Sequence, residues 1–186
     1  MLDNLRRDTR RLRMIKTKPA PWYVIESLLF ENGYQAVVLY RIAHWFKRRG
    51  VPVLGPLFAR LSLLFTGVDI APGAVIGPGL LISHGTGLVI GGHARIGRDA
   101  ILLHGVTIGS PSPGRIEKMP AIGDNVFIGA GATLIGEITV GDDVFIGVHA
   151  IVTRDVPSGS RVLAKAEIEI VPRRDVETPP SAPTDP

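Results

Sequence analysis

A six-residue spacing of aliphatic residues organises the second half of the chain. The first position of each repeat is aliphatic, and the position four residues later holds a small or aliphatic side chain. A repeat of six residues with two unequal apolar positions matches neither the period of an α-helix nor the alternation of a β-strand. A short fixed repeat of this kind predicts a solenoid. The repeated first position holds Ile122, Ile128, Leu134, Val140, Ile146 and Val152.

The physical form that fits this repeat is a parallel β-helix, in which each hexapeptide contributes one short strand and one corner. The aliphatic residue points into the coil, and successive coils stack about 4.8 Å apart through backbone hydrogen bonds. A sandwich of short strands is the alternative. It would show hairpin dipeptides and a period of two, and both are largely missing from this sequence. We therefore predict a mainly β protein built on a parallel β-helix.

The repeat extends upstream to Ile70, but its register changes twice. The spacing is displaced by two residues in the first half, which predicts a two-residue insertion near residues 88–90. The interval of 14 between Ile108 and Ile122 corresponds to two repeats plus two residues. A loop that leaves the coil is predicted at residues 109–121, and loops on rigid scaffolds commonly carry function.

Residues 1–66 lack the repeat and predict a short α-helical N-terminal region. Asn32-Gly33 is predicted to separate two of its helices. These helices leave apolar surface uncovered, so we expect them to pack against a neighbouring chain. The β-helix is predicted over residues 67–172, and the proline-rich residues 173–186 predict a disordered tail. The predicted helices span residues 2–16, 22–30, 34–49 and 52–65.

Charge divides the chain into two unequal parts. Residues 1–66 hold 12 Lys or Arg against 4 Asp or Glu, whereas the remainder holds 9 against 13. A basic half is compatible with nucleic-acid binding. No recognised nucleic-acid motif accompanies it, so a solvated helix face is the preferred interpretation and no nucleic-acid partner is expected.

The composition excludes several other classes. The chain has no cysteine, which excludes disulfides and cysteine nucleophiles. The charged segment at residues 1–18 does not resemble a signal peptide. The most apolar run, residues 51–65, is too short to span a bilayer. A cytoplasmic location without membrane association is therefore expected.

His84 is the strongest candidate for chemistry, because a polar triplet interrupts the aliphatic repeat there. With about three hexapeptides per coil and a two-residue insertion, His104 is predicted directly above His84. Stacked imidazoles resist simultaneous protonation, which would keep His84 neutral and able to accept a proton as a general base. Asp69 is a candidate to orient His84, although it is equally a candidate cap for the first coil. The two histidines lack a third zinc ligand, so no metal is predicted.

Together the motifs resemble the serine O-acetyltransferase family of hexapeptide-repeat acyltransferases. The resemblance covers about residues 5–160. It implies a left-handed β-helix, a homotrimer or a dimer of trimers, and acetyl-CoA as the acyl donor. The N-terminal helical region is shorter than in the family, which favours a single trimer. The motifs are Tyr40-Arg-Ile-Ala-His-Trp45, Val68-Asp-Ile-Ala-Pro-Gly-Ala-Val-Ile-Gly77, Ile82-Ser-His-Gly-Thr-Gly87, Val106-Thr-Ile-Gly109 and Ile128-Gly-Ala-Gly131.

The resemblance also implies roles for individual residues. His84 would be the general base and Asp69 its carboxylate partner. Gly109 and Ala130 match positions that border the CoA arm. Asp8 matches an aspartate that contacts the amino-acid substrate in the family.

The sequence departs from the family at several substrate-binding positions. An Asp-His pair is Ser83-His84 here, and an Arg-His-Pro sequence in the loop is Lys118-Met119-Pro120. Lysine does not reproduce the two parallel hydrogen bonds of arginine to a carboxylate. Val148 and the histidine after it replace a small pair beside the CoA arm. The closing CoA motif and the C-terminal isoleucine that docks into cysteine synthase are absent, so that complex is not expected.

These observations predict an acetyl-CoA-dependent O-acetyltransferase acting on the hydroxyl of serine or a serine-like small molecule. Ser83, His104, Lys118 and Met119 are the predicted neighbours of the acceptor. Two alternatives stay open. One is an O-acetyltransferase of a sugar or secondary metabolite, and the other is a catalytically silent trimeric scaffold.

Overall fold

The computed structural model describes residues 1–16 and 22–165. Four helices precede the first strand, and the helical part ends at a left-handed glycine, Gly67, with a φ of 70°. A glycine in this conformation satisfies the last carbonyl groups of a helix without Cβ strain. The helices are α1 (Leu2–Lys16), α2 (Trp22–Phe30), α3 (Asn32–Arg48) and α4 (Leu54–Thr66).

Fourteen short parallel strands follow within the described residues and form about five coils. The predicted parallel β-helix with a short helical N-terminal region is confirmed. The strands are β1 (Asp69–Ile70), β2 (Val75–Ile76), β3 (Leu81–Ser83), β4 (Val89–Ile90), β5 (Arg95–Ile96), β6 (Ile101–Leu103), β7 (Thr107–Gly109), β8 (Ala121–Ile122), β9 (Phe127–Ile128), β10 (Thr133–Ile135), β11 (Thr139–Val140), β12 (Phe145–Ile146), β13 (Ile151–Val152) and β14 (Arg161–Val162).

Three parallel sheets form the faces of the coil. The first sheet has the order β1-β4-β7-β10-β13, the second β2-β5-β8-β11, and the third β3-β6-β9-β12-β14. Their corners stack into three edges. We call the edge between the third and first sheets (residues 84–88, 104–106, 129–132 and 147–150) the histidine edge. The edge between the first and second sheets, which includes residues 109–121, is the loop edge.

The repeated aliphatic positions form one continuous core inside the coil. Ile90, Ile108 and Leu134 are each at most 1% exposed and follow one another in the first sheet. Aliphatic side chains stack on their equivalents in the next coil, so the same position stays apolar throughout. The sequence repeat is therefore the signature of this core.

The loop adds more residues than the sequence predicts. Ile108 pairs with Leu134, so this coil spans 26 residues, eight more than the 18 between Ile90 and Ile108. Ile122 lies one strand after Ile108, and the interval of 14 is one repeat plus eight residues. The prediction of two repeats plus two residues is wrong. The loop contains a short 3-10 helix, Pro113–Arg115.

Asn32 and Gly33 begin helix α3 and do not separate it from the preceding helix, contrary to the prediction. A Cβ atom at Gly33 would overlap the carbonyl oxygen of Ile82 in β3. Only glycine lets the start of α3 approach the strand this closely. The helix therefore begins directly against the third sheet, beside the end of β3.

Several large apolar side chains of the helices remain exposed in the single chain. They include Trp22, Phe30, Leu64 and Phe65, each more than 70% exposed. Within the described residues, 1–16 and 22–165, no helix is both long enough and apolar enough to cross a membrane. The predicted tail and the last part of the predicted β-helix lie beyond the described residues.

Candidate active site

The corner that carries His84 contains the two-residue insertion. Ser83 pairs with Leu103, 20 residues later, whereas Gly105 donates its N–H to the carbonyl of Thr86. The offset between paired residues therefore falls from 20 at Ser83 to 18 at Gly87. Three residues, 84–86, face the single residue His104 here, so the insertion predicted near residues 88–90 lies at this corner instead.

The register of this corner bears on the predicted histidine stack. Ser83 pairs with Leu103 directly before the two histidines, whereas Gly105 lies on Gly87 directly after His104. His104 therefore lies above the segment from His84 to Thr86. Both histidines lie on the histidine edge, and the direct stacking of their rings stays a prediction.

The inserted corner turns His84 outward. Its φ of 54° is a left-handed value that is uncommon for a residue with a side chain, and the residue is exposed. Gly85 packs inward, where a Cβ atom would lie 2.7 Å from methyl carbons of Ile82 and Val68. A glycine anchored beneath the corner leaves the imidazole on the outside of the coil. Unusual backbone conformations of this kind cluster at functional sites.

A small cleft adjoins His84. It has a volume of about 190 Å³ and lies between the α2–α3 junction and strand β3. Ligand pockets for drug-sized molecules span about 300–1,000 Å³, so this cleft suits a smaller molecule. Its lining comprises Leu12, Phe30, Glu31, Asn32, Gly33, Leu81, Ile82, Ser83 and His84.

Asn32 fixes the helices to this corner. Its side-chain amide donates to the carbonyl of Thr66, 3.2 Å away, and to the hydroxyl of Thr86, 3.1 Å away. One side chain thus joins the end of α4, the start of α3 and the corner after His84. Asn32 carries no sign of this role in the sequence except its position before a glycine.

The histidine edge continues upward through predicted cofactor positions. Ala130 follows His104 in the stack, since Gly131 donates to the His104 carbonyl at 2.9 Å. Val148 follows Ala130 and is 58% exposed. The next residue, His149, has a φ of 53° and lays its ring over the Cα of Gly131. An open strip therefore runs from His84 along three further coils.

Asp69 lies at the start of β1, next to the corner that begins the first coil. Its carboxylate and the His84 ring are not joined by a hydrogen bond within the described chain. Asp69 pairs through its backbone with Val89 and is half-buried. The orienting role of Asp69 stays a prediction.

Asp8 occupies a different environment from the one predicted. Its carboxylate is buried, accepts hydrogen bonds from Arg41, and also accepts the N–H groups of Gly79 and Leu80 at 2.7 and 2.9 Å. Four hydrogen bonds within the chain use its acceptor capacity. The structure therefore gives Asp8 a role in holding helix α1 on the first coil, and substrate contact finds no support in this geometry.

The predicted loop residues lie on the loop edge, across the first sheet from His84. Lys118 donates to Glu137 at 3.0 Å, and the thioether of Met119 lies over Gly91. Gly109 also lies on this edge, at the end of β7. One chain therefore brings His84, Ser83, His104, Ala130 and Val148 to one region, and it places Gly109, Lys118 and Met119 in another.

No metal site emerges from the described part of the chain. Across residues 1–16 and 22–165, no three histidine, aspartate or glutamate side chains come close enough together to hold an ion. The chemistry available at the histidine edge is that of an exposed imidazole beside a small cleft. Such an arrangement is able to take a proton from a bound hydroxyl.

Comparison with known proteins places these features in a family. The family model described as bacterial transferase hexapeptide (six repeats) matches residues 120–154. A serine acetyltransferase from Synechococcus elongatus is 39% identical over 145 residues, which cover 78% of this chain and 59% of the relative. One from Helicobacter pylori is 41% identical over 156 residues, 83% of this chain and 91% of the relative.

A solved structure agrees with the sequence comparison. The serine acetyltransferase of Neisseria gonorrhoeae, crystallised in complex with serine, superposes with a TM-score of 0.78 at 32% identity. The match covers 88% of this chain and 66% of that chain. Fold, repeat and sequence identity over most of the chain agree, and the chain belongs to the serine acetyltransferase family.

Proposed function

We propose that the protein is an acetyl-CoA-dependent O-acetyltransferase that acts on the hydroxyl of serine or a serine-like small molecule. The serine acetyltransferases at about 40% identity support the reaction class, and the Neisseria structure with serine supports the acceptor. The observation that carries the proposal is the exposed His84 at the rim of a cleft of about 190 Å³. The size of the cleft favours a small acceptor.

The reaction is a direct transfer with His84 as the general base. The imidazole takes the proton of the acceptor hydroxyl while the oxygen attacks the thioester carbonyl carbon. The tetrahedral intermediate then releases the CoA thiolate, which recovers the proton from the imidazolium. Backbone N–H groups near the corner would stabilise the oxyanion. Asp69 would orient His84 after a side-chain rotation.

The acyl donor would lie along the histidine edge. Ala130 and Val148 border the open strip that begins at His84, so the thioester would reach the imidazole from the later coils. Gly109 would border CoA from the loop edge of a neighbouring chain. This arrangement supports a homotrimer, in which the loop edge of one chain faces the histidine edge of the next.

A sugar or secondary metabolite is the second candidate acceptor. The geometry of the loop favours it, because Lys118 is already paired with Glu137 and Met119 packs over Gly91. Neither side chain is arranged to hold an amino-acid carboxylate. An acceptor without that carboxylate would need neither of them.

Release of CoA from acetyl-CoA, measured across L-serine, homoserine and a set of sugars, tests the proposal. His84→Ala should lower turnover by about 100- to 10,000-fold, which is the usual contribution of a general base, with CoA affinity unchanged. Lys47→Ala is the control, because Lys47 is exposed in the last turn of α3 and lies on neither edge. Near-normal turnover in the His84 variant would remove it from the mechanism. If none of the acceptors in the panel causes release of CoA, the result favours the catalytically silent scaffold over an enzyme.

A further inference from the structure

Helix α1 presents several arginines to a wide cleft away from the histidine edge. The cleft has a volume of about 700 Å³. The arginines recur at spacings of three and four, which places them on one side of the helix, while Asp8 and Leu12 face the protein. The cleft is lined by Asp3, Arg6, Arg7, Arg10, Arg11, Met14 and Asp99.

The cationic groups of this cleft outnumber their partners. Arg7 and Arg11 both pair with the one carboxylate of Asp99. The Nε of Arg11 is buried without a hydrogen-bond partner in the described structure. The side chain of Arg10 makes no ion pair or hydrogen bond among residues 1–16 and 22–165. Buried donors without acceptors and like charges one helical turn apart both cost free energy.

We propose that this arginine cleft binds a phosphoryl group of one of the substrates. Four arginines against two aspartates leave an excess of two positive charges. The planar guanidinium fork matches a phosphate with two parallel hydrogen bonds, and a phosphate has enough oxygens for several arginines at once. A bound phosphate would supply the acceptor that the Nε of Arg11 lacks.

The position of the cleft relates it to the candidate active site. Asp99 lies two residues before strand β6 and His104 directly after it, and a strand of three residues spans about 10 Å. Between them the outer face of β6 presents the half-buried side chains of Ile101 and Leu103. A molecule with a phosphoryl group in the cleft and a reacting group at His84 would lie along this apolar face. This second step rests on the proposed function, whereas phosphate binding does not.

Calorimetric titration of the full chain with inorganic pyrophosphate tests the site without any turnover. Arg10→Ala is the informative variant, because Arg10 makes no contact that the fold needs. It should weaken pyrophosphate binding by about tenfold or more, the usual effect of losing a charge-assisted hydrogen bond. Arg10→Lys should recover only part of the affinity, since it restores the charge without the fork.

Arg13→Ala is the matched control. Arg13 lies on the same helix, is exposed, and does not line the cleft, so its removal changes the net charge equally. Binding should be nearly unchanged in this variant. Equal weakening by both variants, or the absence of saturable pyrophosphate binding to the wild type, would overturn the site.

The source of the phosphoryl group is identified by a second titration, with CoA and with pantetheine. If Arg10→Ala weakens CoA binding and leaves pantetheine unchanged, the donor supplies the phosphate. If it weakens pyrophosphate binding and leaves CoA binding unchanged, the donor is not the source, and a phosphorylated acceptor is the substrate to test next. Both results support the site, and both are independent of activity.

Discussion

Asp8 and Arg41 form a buried ion pair, with the Arg41 Nε 2.9 Å from the Asp8 Oδ2 and both side chains at most 3% exposed. Arg41 also donates to the carbonyls of Ile76 and Gly77 at 2.6 and 2.7 Å. The pair therefore joins α1, α3 and the first coil through groups that are all hydrogen-bonded. Removing one member of such a pair leaves a buried charge without its partner.

Asp8→Ala should accordingly lower the free energy of unfolding by about 3–5 kcal/mol, which is typical for breaking a buried pair. Urea denaturation followed by circular dichroism measures the loss. The control is Asp3→Ala, because Asp3 pairs with Arg6 at 3.5 Å with both side chains at least 80% exposed. That variant should change the free energy by about 0–1 kcal/mol. Similar losses in the two variants would contradict a structural role for Asp8.

A methyl group at Gly33 tests the close approach of α3 to the third sheet. The new Cβ would overlap the Ile82 carbonyl oxygen. This oxygen belongs to the backbone of a strand, so it cannot move away as the end of a flexible side chain can. Gly33→Ala should therefore cost about 1–3 kcal/mol, as overpacking commonly does. Gly114→Ala in the loop is the control, since a Cβ there meets no atom within 4 Å. Thermal unfolding should show a lower Tm for the first variant alone.

Tyr40 makes the free energy of unfolding depend on pH in the alkaline range. Its hydroxyl donates to the Ala74 carbonyl at 2.8 Å and accepts the Ile76 N–H at 3.2 Å, and burial raises the pKa of Tyr40 from 10.0 to about 12. The folded protein thus favours the neutral phenol. This contribution to stability is fully present below the unfolded pKa of about 10 and is lost as the pH rises from about 10 to about 12.

Tyr40→Phe should remove this dependence. At pH 8 the variant should be about 1–3 kcal/mol less stable, because the Ala74 carbonyl and the Ile76 N–H lose their partner. The difference between wild type and variant should shrink above pH 10. Urea midpoints at pH 8 and at pH 11.5 provide the comparison, and an equal difference at both values would rule out the buried phenol as its source.

Because of Lys118 and Met119 in the loop, we expect the wild type to have a low kcat/KM for L-serine as acceptor. Losing a charged bidentate partner typically costs about 1.5–3 kcal/mol, or roughly 10- to 150-fold in affinity. Changing Lys118→Arg and Met119→His together should raise kcat/KM for L-serine. Lys118 leaves its exposed partner Glu137 at little cost. An ordinary kcat/KM in the wild type that falls in the double variant would show that another group holds the carboxylate.

The sequence predicts the coil better than its corners. The spacing from Ile122 to Val152 predicts the β-helix, because each repeat buries one aliphatic side chain in the same place. The insertion is harder to place, since a corner loses no core contact when two residues bulge outward. His84 is visible as a break in the pattern, but the extra length of its corner is set by backbone hydrogen bonds, which leave no trace in side-chain type.

Buried polar contacts were the least predictable part of the candidate site. Arg41 lies within an apolar helix face, which is a weak sign of a buried partner, yet nothing in the sequence connects it with Asp8, 33 residues earlier. The same limit applies to Asn32 and the corner after His84. Contacts between distant segments depend on how the helices are placed on the coil, and the repeat carries no information about that placement.

The stacking of coils also decides where the protein opens first. Each coil contacts only its neighbours, so local opening starts at an end, as in other repeat proteins. Helices cover the coil that holds His84. In the part of the chain that the structure describes, β14 pairs with β12 alone, and the second sheet continues beyond β11 only through the single bridge between Val140 and Val156. Fraying should therefore begin far from the imidazole, and the amides of the first coils should exchange with solvent more slowly than those of the last described coils.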